Sequence, residues 1–207
     1  MLEVSQYEKK YANHIVLAID SLIIGNGIHW FVGKNGSGKS TFFKSMAGIV
    51  PFSGKILING FFPHENKCKL FTNYAEAEAQ YPDFVSAKDI LKFMAFAKKA
   101  EKGQLELLVS KLGVDLYWDN NISTYSSGML KKISLVSGFL GRPSLIILDE
   151  PFILIDSHSI ENLYELINEY HNERNVTFFL SSHQDLIPNK LKVDSVLLVD
   201  NQNIVYK

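Results

Sequence analysis

The stretch Gly33–Thr41, GKNGSGKST, decides the fold, because it fits the pattern G-x-x-x-x-G-K-[S/T] at the junction of a strand and a helix. A β-prone run, Ile28–Val32 (IHWFV), precedes it, and a helical run follows it. Glycines in such a loop let backbone N–H groups converge on phosphate oxygens, and the start of the helix adds a favourable dipole. The pattern predicts a nucleotide phosphate site in which Lys39 reaches the β- and γ-phosphates and Ser40 ligates Mg²⁺. The residues predicted to bind the nucleotide here are Gly33, Lys34, Asn35, Gly36, Ser37, Gly38, Lys39, Ser40 and Thr41.

A second pattern, Leu145–Pro151 (LIILDEP), is an apolar run followed by two acids. The run is typical of a buried strand, and its end places a carboxylate beside the phosphate loop. In phosphoryl transfer one such carboxylate holds Mg²⁺, and a neighbouring group orients the attacking water. The pattern therefore predicts Asp149 as a metal ligand and Glu150 as the group that polarises the water.

Working outward from these two motifs, strands alternate with helices along most of the chain, which predicts an α/β protein with a parallel sheet flanked by helices. Residues 86–141 interrupt this alternation with three helical patterns, so a helical insert is expected there. Near the N-terminus, two β-prone runs meet at Gly25-Asn26-Gly27, which favours an antiparallel hairpin or meander. Lys69–Glu76 (KLFTNYAE) is predicted to be a strand that runs into a loop.

Composition limits the classes of function. The 207 residues carry 46% hydrophobic residues and a formal net charge of −1, which is ordinary for a soluble globular protein and argues against a nucleic-acid binder. The single cysteine, Cys68, cannot form an internal disulfide and is interpreted as an inert thiol. No leader peptide or spanning helix is predicted, so any membrane contact is expected to come through a partner.

Three further motifs resemble those of the ATP-binding cassette (ABC) family. Tyr125–Met129 (YSSGM) stands at the family's serine-glycine signature, ahead of the LIILDEP strand. Ile153–Asp156 (ILID) matches the D-loop, and His183 ends the segment FFLSSH at the position of the switch histidine. With the two motifs above, five ordered motifs agree with the family in spacing, and the resemblance covers essentially the whole chain.

The resemblance implies a P-loop NTPase (RecA-like) core with an antiparallel β subdomain and an inserted α-helical subdomain. Residues 1–75 and 141–207 would form the core, and residues 76–140 would form the helical part. The cofactors would be ATP and Mg²⁺, with two cassettes enclosing two ATP molecules head to tail. Ser126, Ser127 and Gly128, here called the signature segment, would bind the γ-phosphate of the opposite subunit. Asp156 would span the dimer interface or cap the helix that follows it, and His183 would bind the γ-phosphate and steady Glu150, completing a catalytic group of Glu150, His183 and Lys39.

Several assignments have alternatives. Tyr11 is predicted to stack on the adenine, with Tyr7 as a competitor. The lid residue, a glutamine in the family, is predicted to be Glu76 as a further Mg²⁺ contact, and Gln80 is the second choice. Ser127 stands where the family has glycine, so phosphate contact requires backbone angles that suit a non-glycine residue.

The resemblance implies the nucleotide-binding subunit of an ABC transporter, of the export type, that hydrolyses ATP and drives a separate integral membrane permease. A second copy of the chain is the expected partner, giving a homodimer, and no nucleic acid is expected. The location would be cytoplasmic, peripheral on the inner face of the cell membrane. The alternative is a soluble ABC ATPase that acts on a macromolecular complex. A GTPase is disfavoured because Asn189-Lys190 is not followed by the residues of the guanine-reading motif N-K-x-D.

Overall fold

The computed structural model describes residues 1–182 and 190–207. The strands are β1 (Leu2–Tyr11), β2 (His14–Ile24), β3 (Ile28–Val32), β4 (Ser53–Ile58), β5 (Thr72–Ala75), β6 (Leu145–Leu148), β7 (Thr177–Ser182), β8 (Ser195–Asp200) and β9 (Asn203–Tyr206). The helices are α1 (Lys39–Met46), α2 (Asn66–Phe71), α3 (Ala87–Ala97), α4 (Gln104–Lys111), α5 (Ser127–Gly138) and α6 (Ser157–Arg174), with a 3-10 turn at Ile122–Thr124.

The strands form two sheets. A three-stranded antiparallel sheet has the order β2-β1-β4, and a six-stranded sheet has the order β5-β6-β7-β3-β8-β9. The larger sheet is parallel except for the last pair, β8 and β9, which is antiparallel. The predicted α/β class, with a parallel sheet and a separate antiparallel sheet, is confirmed. Because parallel strands share a direction, the ends of β3, β5, β6 and β7 that carry the motifs meet at one edge.

The two faces of the large sheet are buried in different layers. One face, which includes Trp30 and Phe178, packs with the apolar sides of helices α3 to α6. The other face, which includes Phe31 and Phe179, packs with α1 and the antiparallel sheet. Strands buried on both sides are expected to be continuously apolar, and this explains the unbroken run Leu145–Leu148.

The helical insert is organised by caps and short loops. Ser86 Oγ accepts a hydrogen bond from the backbone N–H of Asp89, and the Asp89 carboxylate accepts one from the backbone N–H of Ser86. This reciprocal pair is a capping box, and it starts α3. The predicted helical patterns of the insert correspond to α3, α4 and α5. Within the described residues, none of the helices combines the length and apolar character needed to cross a bilayer.

Two local predictions were wrong. The turn Gly25-Asn26-Gly27 does not close a hairpin, because β2 pairs with β1 while β3 lies in the other sheet between β7 and β8. The hairpin is instead the one from β1 to β2. Lys69–Phe71 belong to α2, so the strand begins only at Thr72. In the first case both runs are strands, as predicted, and only their pairing differs, because the partners of β3 come from distant segments. In the second case three residues of the predicted strand are helical.

Candidate nucleotide site

The phosphate loop connects β3 to α1. Gly38 is the residue before α1 and has φ 106, a left-handed conformation that favours glycine, and this turns the loop into the helix. Lys39 follows as the first residue of α1, with only 6% of its surface exposed. Its Nζ donates hydrogen bonds to the carbonyl oxygens of Gly33 (2.6 Å) and Lys34 (3.1 Å), so the ammonium lies inside the curve of the loop.

The loop borders an open cavity of about 390 Å³. The cavity is lined by Asn35, Gly36, Ser37, Gly38, Lys39, Ser40, Thr41, Ala77, Glu78, Glu150 and Ile153. Ser37 Oγ is buried and makes no hydrogen bond to any described residue. A buried hydroxyl without a partner in a loop of converging amides fits a phosphate oxygen, because that oxygen would satisfy it.

The charge of Lys39 is balanced between burial and two acids. Desolvation lowers the pKa of Lys39, and the carboxylates of Glu150 and Asp149 oppose this shift. The lysine is therefore close enough to both acids to interact with them electrostatically. The structure thus brings the phosphate loop and the acid pair to one site at the edge of the sheet.

Asp149 lies at the end of β6 and is held by hydroxyl groups from the two neighbouring strands. Ser181 Oγ on β7 donates to Asp149 Oδ1 at 2.5 Å, and the Tyr74 hydroxyl on β5 donates to Oδ2 at 3.1 Å. Burial, with Asp149 and Glu76 nearby, raises the pKa of Tyr74 far above its usual value, so the hydroxyl stays protonated as a donor. These contacts fix the direction of the Asp149 carboxylate.

Glu150 has an unusual backbone. Its φ is 48, in the left-handed region that non-glycine residues rarely adopt, and its N–H donates to Ser181 Oγ at 3.0 Å. Such conformations persist where the surroundings impose them, and they are common at functional sites. The left-handed turn directs the chain away from β6 while Glu150 remains in the cavity beside the phosphate loop.

Residues 76–80, which follow β5 and are here called the lid segment, include a residue that the sequence did not single out. Glu76 and Gln80, the two candidates, both line a different and larger cavity on the other side of the segment. The Glu76 carboxylate lies 3.7 Å from Lys44 Nζ. Glu78, between the two candidates, lines the cavity of the phosphate loop. The metal contact predicted for Glu76 stays a prediction, and of these two acids Glu78 is the one that lines the cavity of the phosphate loop.

The signature segment begins α5. Ser126 is the N-cap, and its Oγ accepts a hydrogen bond from the Met129 N–H at 3.3 Å. Ser127, the first helical residue, has no left-handed angle, so its backbone suits a serine in place of glycine. A side chain on Gly128 would collide with the carbonyl oxygen of Leu154, which explains glycine at that position. None of these three residues lines the cavity of the phosphate loop in the same chain.

Asp156 caps α6 as one of its two predicted roles requires. Its carboxylate accepts from the Ser159 N–H and hydroxyl, both at 2.9 Å, and pairs with Lys132 Nζ at 2.6 Å. The hydrogen bond from Lys132, followed by those from Ser159, lowers the pKa of Asp156 well below its usual value. The carboxylate is therefore charged in the physiological range, and half of its side chain is exposed.

The two aromatic candidates for adenine stacking differ sharply in exposure. Tyr7 is 1% exposed, and its hydroxyl is hydrogen-bonded to Ser45 Oγ at 2.9 Å. Tyr11 is 51% exposed, with the ammonium of Lys9 over its ring at 4.4 Å. Of the two tyrosines, Tyr11 alone has an exposed ring, and the Lys9 ammonium lies over it. His183, the predicted switch histidine, lies outside the described residues.

Two more groups at the site were missed in the sequence. Ser181 Oγ donates to the Asp149 carboxylate and accepts from the Glu150 backbone N–H, and it stands two residues before His183 in the segment FFLSSH. Lys131 is 1% exposed, and its Nζ donates to the carbonyl oxygens of Asp149 (2.6 Å) and Glu76 (3.0 Å). Burial lowers the pKa of Lys131 to about 8, and Asp149, Glu150 and Glu78 oppose the shift. Lys131 lies among serine, glycine and apolar residues of α5, and no sequence pattern marked it.

The fold and the site define a phosphate-loop NTPase. The family model described as "ABC transporter" matches residues 21–153. The chain belongs to the ABC transporter family, and it is an ATPase of that family.

Individual relatives agree over most of the chain. The mouse (Mus musculus) "Glucosylceramide transporter ABCA12" is 30% identical over 179 residues, which are 81% of this chain and 7% of that protein. The "Zinc import ATP-binding protein ZnuC" of Rickettsia bellii (strain RML369-C) is 28% identical over 190 residues, which are 88% of this chain and 76% of that protein. The chain thus spans a small part of the first relative and about three quarters of the second. A solved structure described as "Structure of ATP binding subunit of ABC transporter" has the same fold, with a TM-score of 0.87, 24% identity and coverage of 100% of this chain and 89% of that one.

Proposed function

We propose that this chain is the ATP-hydrolysing subunit of an exporter, acting as a pair of identical copies on a separate integral membrane subunit. It would work at the inner face of the cell membrane. The observation that carries the proposal is the juxtaposition of the phosphate loop with Asp149 and Glu150. The groups proposed to bind phosphate, to hold the metal and to activate water for phosphoryl transfer lie together at one edge of the sheet.

The residues have distinct proposed roles. Lys39 and the loop amides hold the β- and γ-phosphates, which replace the carbonyl oxygens that Lys39 now contacts. Glu150 orients and polarises the attacking water, and His183 binds the γ-phosphate. Ring stacking of Tyr11 on the adenine completes the binding of one nucleotide. The ring is exposed, as stacking requires.

The donors at the site fit Mg²⁺. Mg²⁺ prefers oxygen ligands and is held by one or two protein groups together with substrate phosphates. Ser40 and Asp149 supply a hydroxyl and a carboxylate, and the carboxylate is already oriented by Ser181 and Tyr74. When bound, the ion would neutralise charge on the phosphates. Glu76 or Glu78 would approach it from the lid segment.

The second copy completes the site. Ser126 and Ser127 are exposed at the start of α5, and they do not line the cavity of their own chain. Backbone N–H groups at a helix N-terminus favour an anion. In the proposed dimer the signature segment of each copy therefore binds the γ-phosphate held by the other copy, and Asp156 lies at the interface.

The docking groove is the proposed site for the membrane subunit. We use this name for the cavity of about 670 Å³ between the core and the helical insert, whose apolar lining includes Met46, Ile49, Leu70, Tyr81 and Met94. Glu76 and Gln80 line it as well, so the lid segment has the groove on one side and the phosphate loop on the other. A partner in this groove would be coupled to the nucleotide through that segment.

The direction of transport rests on three segments. Glu76 at the lid, Tyr81–Phe84 (YPDF) and Tyr125–Met129 (YSSGM) resemble the corresponding segments of export-type cassettes. The Rickettsia relative is described as a zinc import protein, so similarity over the whole chain does not choose a direction. The proposal of export therefore rests on these three segments alone.

The decisive experiment has two stages. In the first, purified Glu150→Gln is expected to bind ATP while its turnover falls by at least about 100-fold, as removal of a general base would predict. It is also expected to accumulate an ATP-bound dimer, measured by light scattering. Wild-type turnover in this variant would contradict the assignment of Glu150.

In the second stage, the chain is isolated from gently solubilised membranes and its partners are identified. Recovery with an integral membrane protein supports the transporter, and recovery only with ribosomes or nucleic acid contradicts it. The isolated complex is then placed in liposomes. An exporter is expected to show ATP hydrolysis stimulated by substrate on the face that carries the cassettes, and stimulation only from the opposite face would contradict export.

A further inference from the structure

Lys131 is a buried ammonium that the proposed chemistry does not use. It lies in the second turn of α5, is 1% exposed, and donates to the carbonyl oxygens of Asp149 at 2.6 Å and Glu76 at 3.0 Å. Removing an ammonium from water is costly, and an apolar side chain of similar size often serves stability equally well. Stability is therefore a weak reason for a lysine at this position.

The acceptors of Lys131 lie at the ends of two neighbouring strands. Glu76 is the first residue after β5, and Asp149 is the first residue after β6. At these two points the lid segment and the acid pair leave the sheet. The backbone N–H of Asp149 also donates to the Ala75 carbonyl at 2.9 Å, so the two strand ends are already joined at this level. Lys131 adds a hydrogen bond from α5 to each of the two strand ends.

The peptide group between Asp149 and Glu150 is held from both sides. Its carbonyl oxygen accepts from Lys131, and its N–H, which belongs to Glu150, donates to Ser181 Oγ at 3.0 Å. Two strong contacts on opposite ends of one peptide fix the rotation of its plane. Glu150 follows this peptide directly. Its φ of 48 is unfavourable for a non-glycine residue, so the backbone would relax there unless it were restrained.

We propose that Lys131 is a positioning residue for ATP hydrolysis, which fixes the Asp149–Glu150 peptide and thereby holds the Glu150 carboxylate toward the attacking water. The inference rests on the proposed role of Glu150. It also joins that residue to the helix that carries the signature segment. Lys132, the next residue of α5, pairs with Asp156 at 2.6 Å, so the helix meets the acid pair and the D-loop at adjacent positions.

The test compares three variants of the full chain in a steady-state ATPase assay. Lys131→Met removes the charge and both donated hydrogen bonds, and kcat is expected to fall by about 10-fold or more while KM for ATP changes by less than about 2-fold. Lys131→Arg keeps a charged donor and is expected to recover part of kcat. Lys98→Met is the matched control, because Lys98 also donates to two backbone carbonyl oxygens, those of Lys69 and Thr72, away from the acid pair.

Two further measurements separate positioning from a structural effect. Hydrogen exchange is expected to accelerate in Lys131→Met at the amide of Glu150, with the remainder of the sheet unchanged. In the Glu150→Gln background Lys131→Met is expected to cause no further loss of turnover, because both changes act on one group. If Lys131→Met does not fold, Lys131→Gln, which retains an N–H donor, is used in the same assays.

The outcomes distinguish the two proposals. Wild-type kcat in folded Lys131→Met, with Glu150→Gln inactive, would overturn the positioning role and leave Glu150 as the base. The role would also be overturned if Lys131→Met lowered turnover by a further tenfold in the Glu150→Gln background. Unchanged hydrogen exchange at the Glu150 amide in Lys131→Met would overturn it as well. Wild-type turnover in Glu150→Gln would instead contradict the proposed function.

Discussion

The Nζ of Lys132 lies 2.6 Å from the carboxylate of Asp156, joining α5 to the first residue before α6. The same carboxylate caps α6 through Ser159. Its pKa is lowered by these partners, and it is charged above the acidic range. The cap is thus observed, whereas a second task of the same side chain across the dimer interface is our proposal.

Two substitutions of Asp156 separate these tasks. Asp156→Asn retains a good helix cap, so the free energy of unfolding is expected to change by less than about 1 kcal/mol. The ion pair with Lys132 that it removes is partly exposed, so its loss is expected to cost little stability. Asp156→Ala removes the cap as well and is expected to cost about 1 kcal/mol more in urea unfolding. If Asp156 acts across the interface, both variants lose turnover alike; if only Ala lowers turnover, Asp156 is a cap alone.

Lys39 is expected to be essential for turnover. Lys39→Ala removes the ammonium that lies inside the phosphate loop, so ATPase activity is expected to fall by about 100-fold or more. Nucleotide affinity, measured with a fluorescent ATP analogue, is expected to fall with it. Stability is expected to be maintained or to increase, because the buried ammonium is penalised by desolvation. Unchanged ATPase activity would contradict the phosphate site.

Much of the fold could be predicted because the deciding signals are local. The apolar run Leu145–Leu148 is buried on both faces, and the glycine pattern of Gly33–Thr41 forms the predicted loop between β3 and α1. The partners of a strand are not a local property. The turn at Gly25-Asn26-Gly27 has hairpin composition, yet β3 is paired in parallel with β7 and β8, which come from the far end of the chain.

The residues of the site also fall into two groups, those that a local sequence pattern predicts and those whose positions depend on tertiary contacts. Motif residues such as Asp149 and Glu150 are recognisable because their chemistry requires a fixed residue type at a fixed spacing. Residues that orient them are not, because their positions follow from strand order and helix packing. Ser181 contacts the Asp149 carboxylate and the Glu150 backbone N–H from the neighbouring strand, and Lys131 contacts the Asp149 carbonyl oxygen from α5. Glu78 lines the cavity because the lid segment turns after β5, which the pattern AEAEAQ does not reveal.

Tyr7 and Tyr11 are expected to affect different properties. Tyr11→Ala removes the exposed ring and is expected to weaken ATP binding by about 10-fold, as loss of one base stack would predict. Tyr7→Phe removes the buried hydrogen bond to Ser45 and is expected to lower the free energy of unfolding by about 1 kcal/mol, with nucleotide affinity unchanged. Binding titrations and urea unfolding of both variants check this. Unchanged ATP binding in Tyr11→Ala would contradict the assignment of Tyr11 to the adenine.

Lys98 is expected to give the protein a measurable pH dependence of stability. Burial lowers the pKa of Lys98 to about 8, with the neighbouring Cys68 opposing the shift, whereas an unfolded lysine titrates near pH 10.4. Between these values the unfolded state binds more protons than the folded state, so this residue makes stability rise as pH increases, by at most about 1.4 kcal/mol per pH unit. Below about pH 8 both states are protonated, and the contribution is constant.

Urea unfolding of wild type and Lys98→Met from about pH 7 to about pH 10.5 is expected to show this rise in the wild type relative to the variant. Parallel curves for the two proteins would contradict a lowered pKa at Lys98.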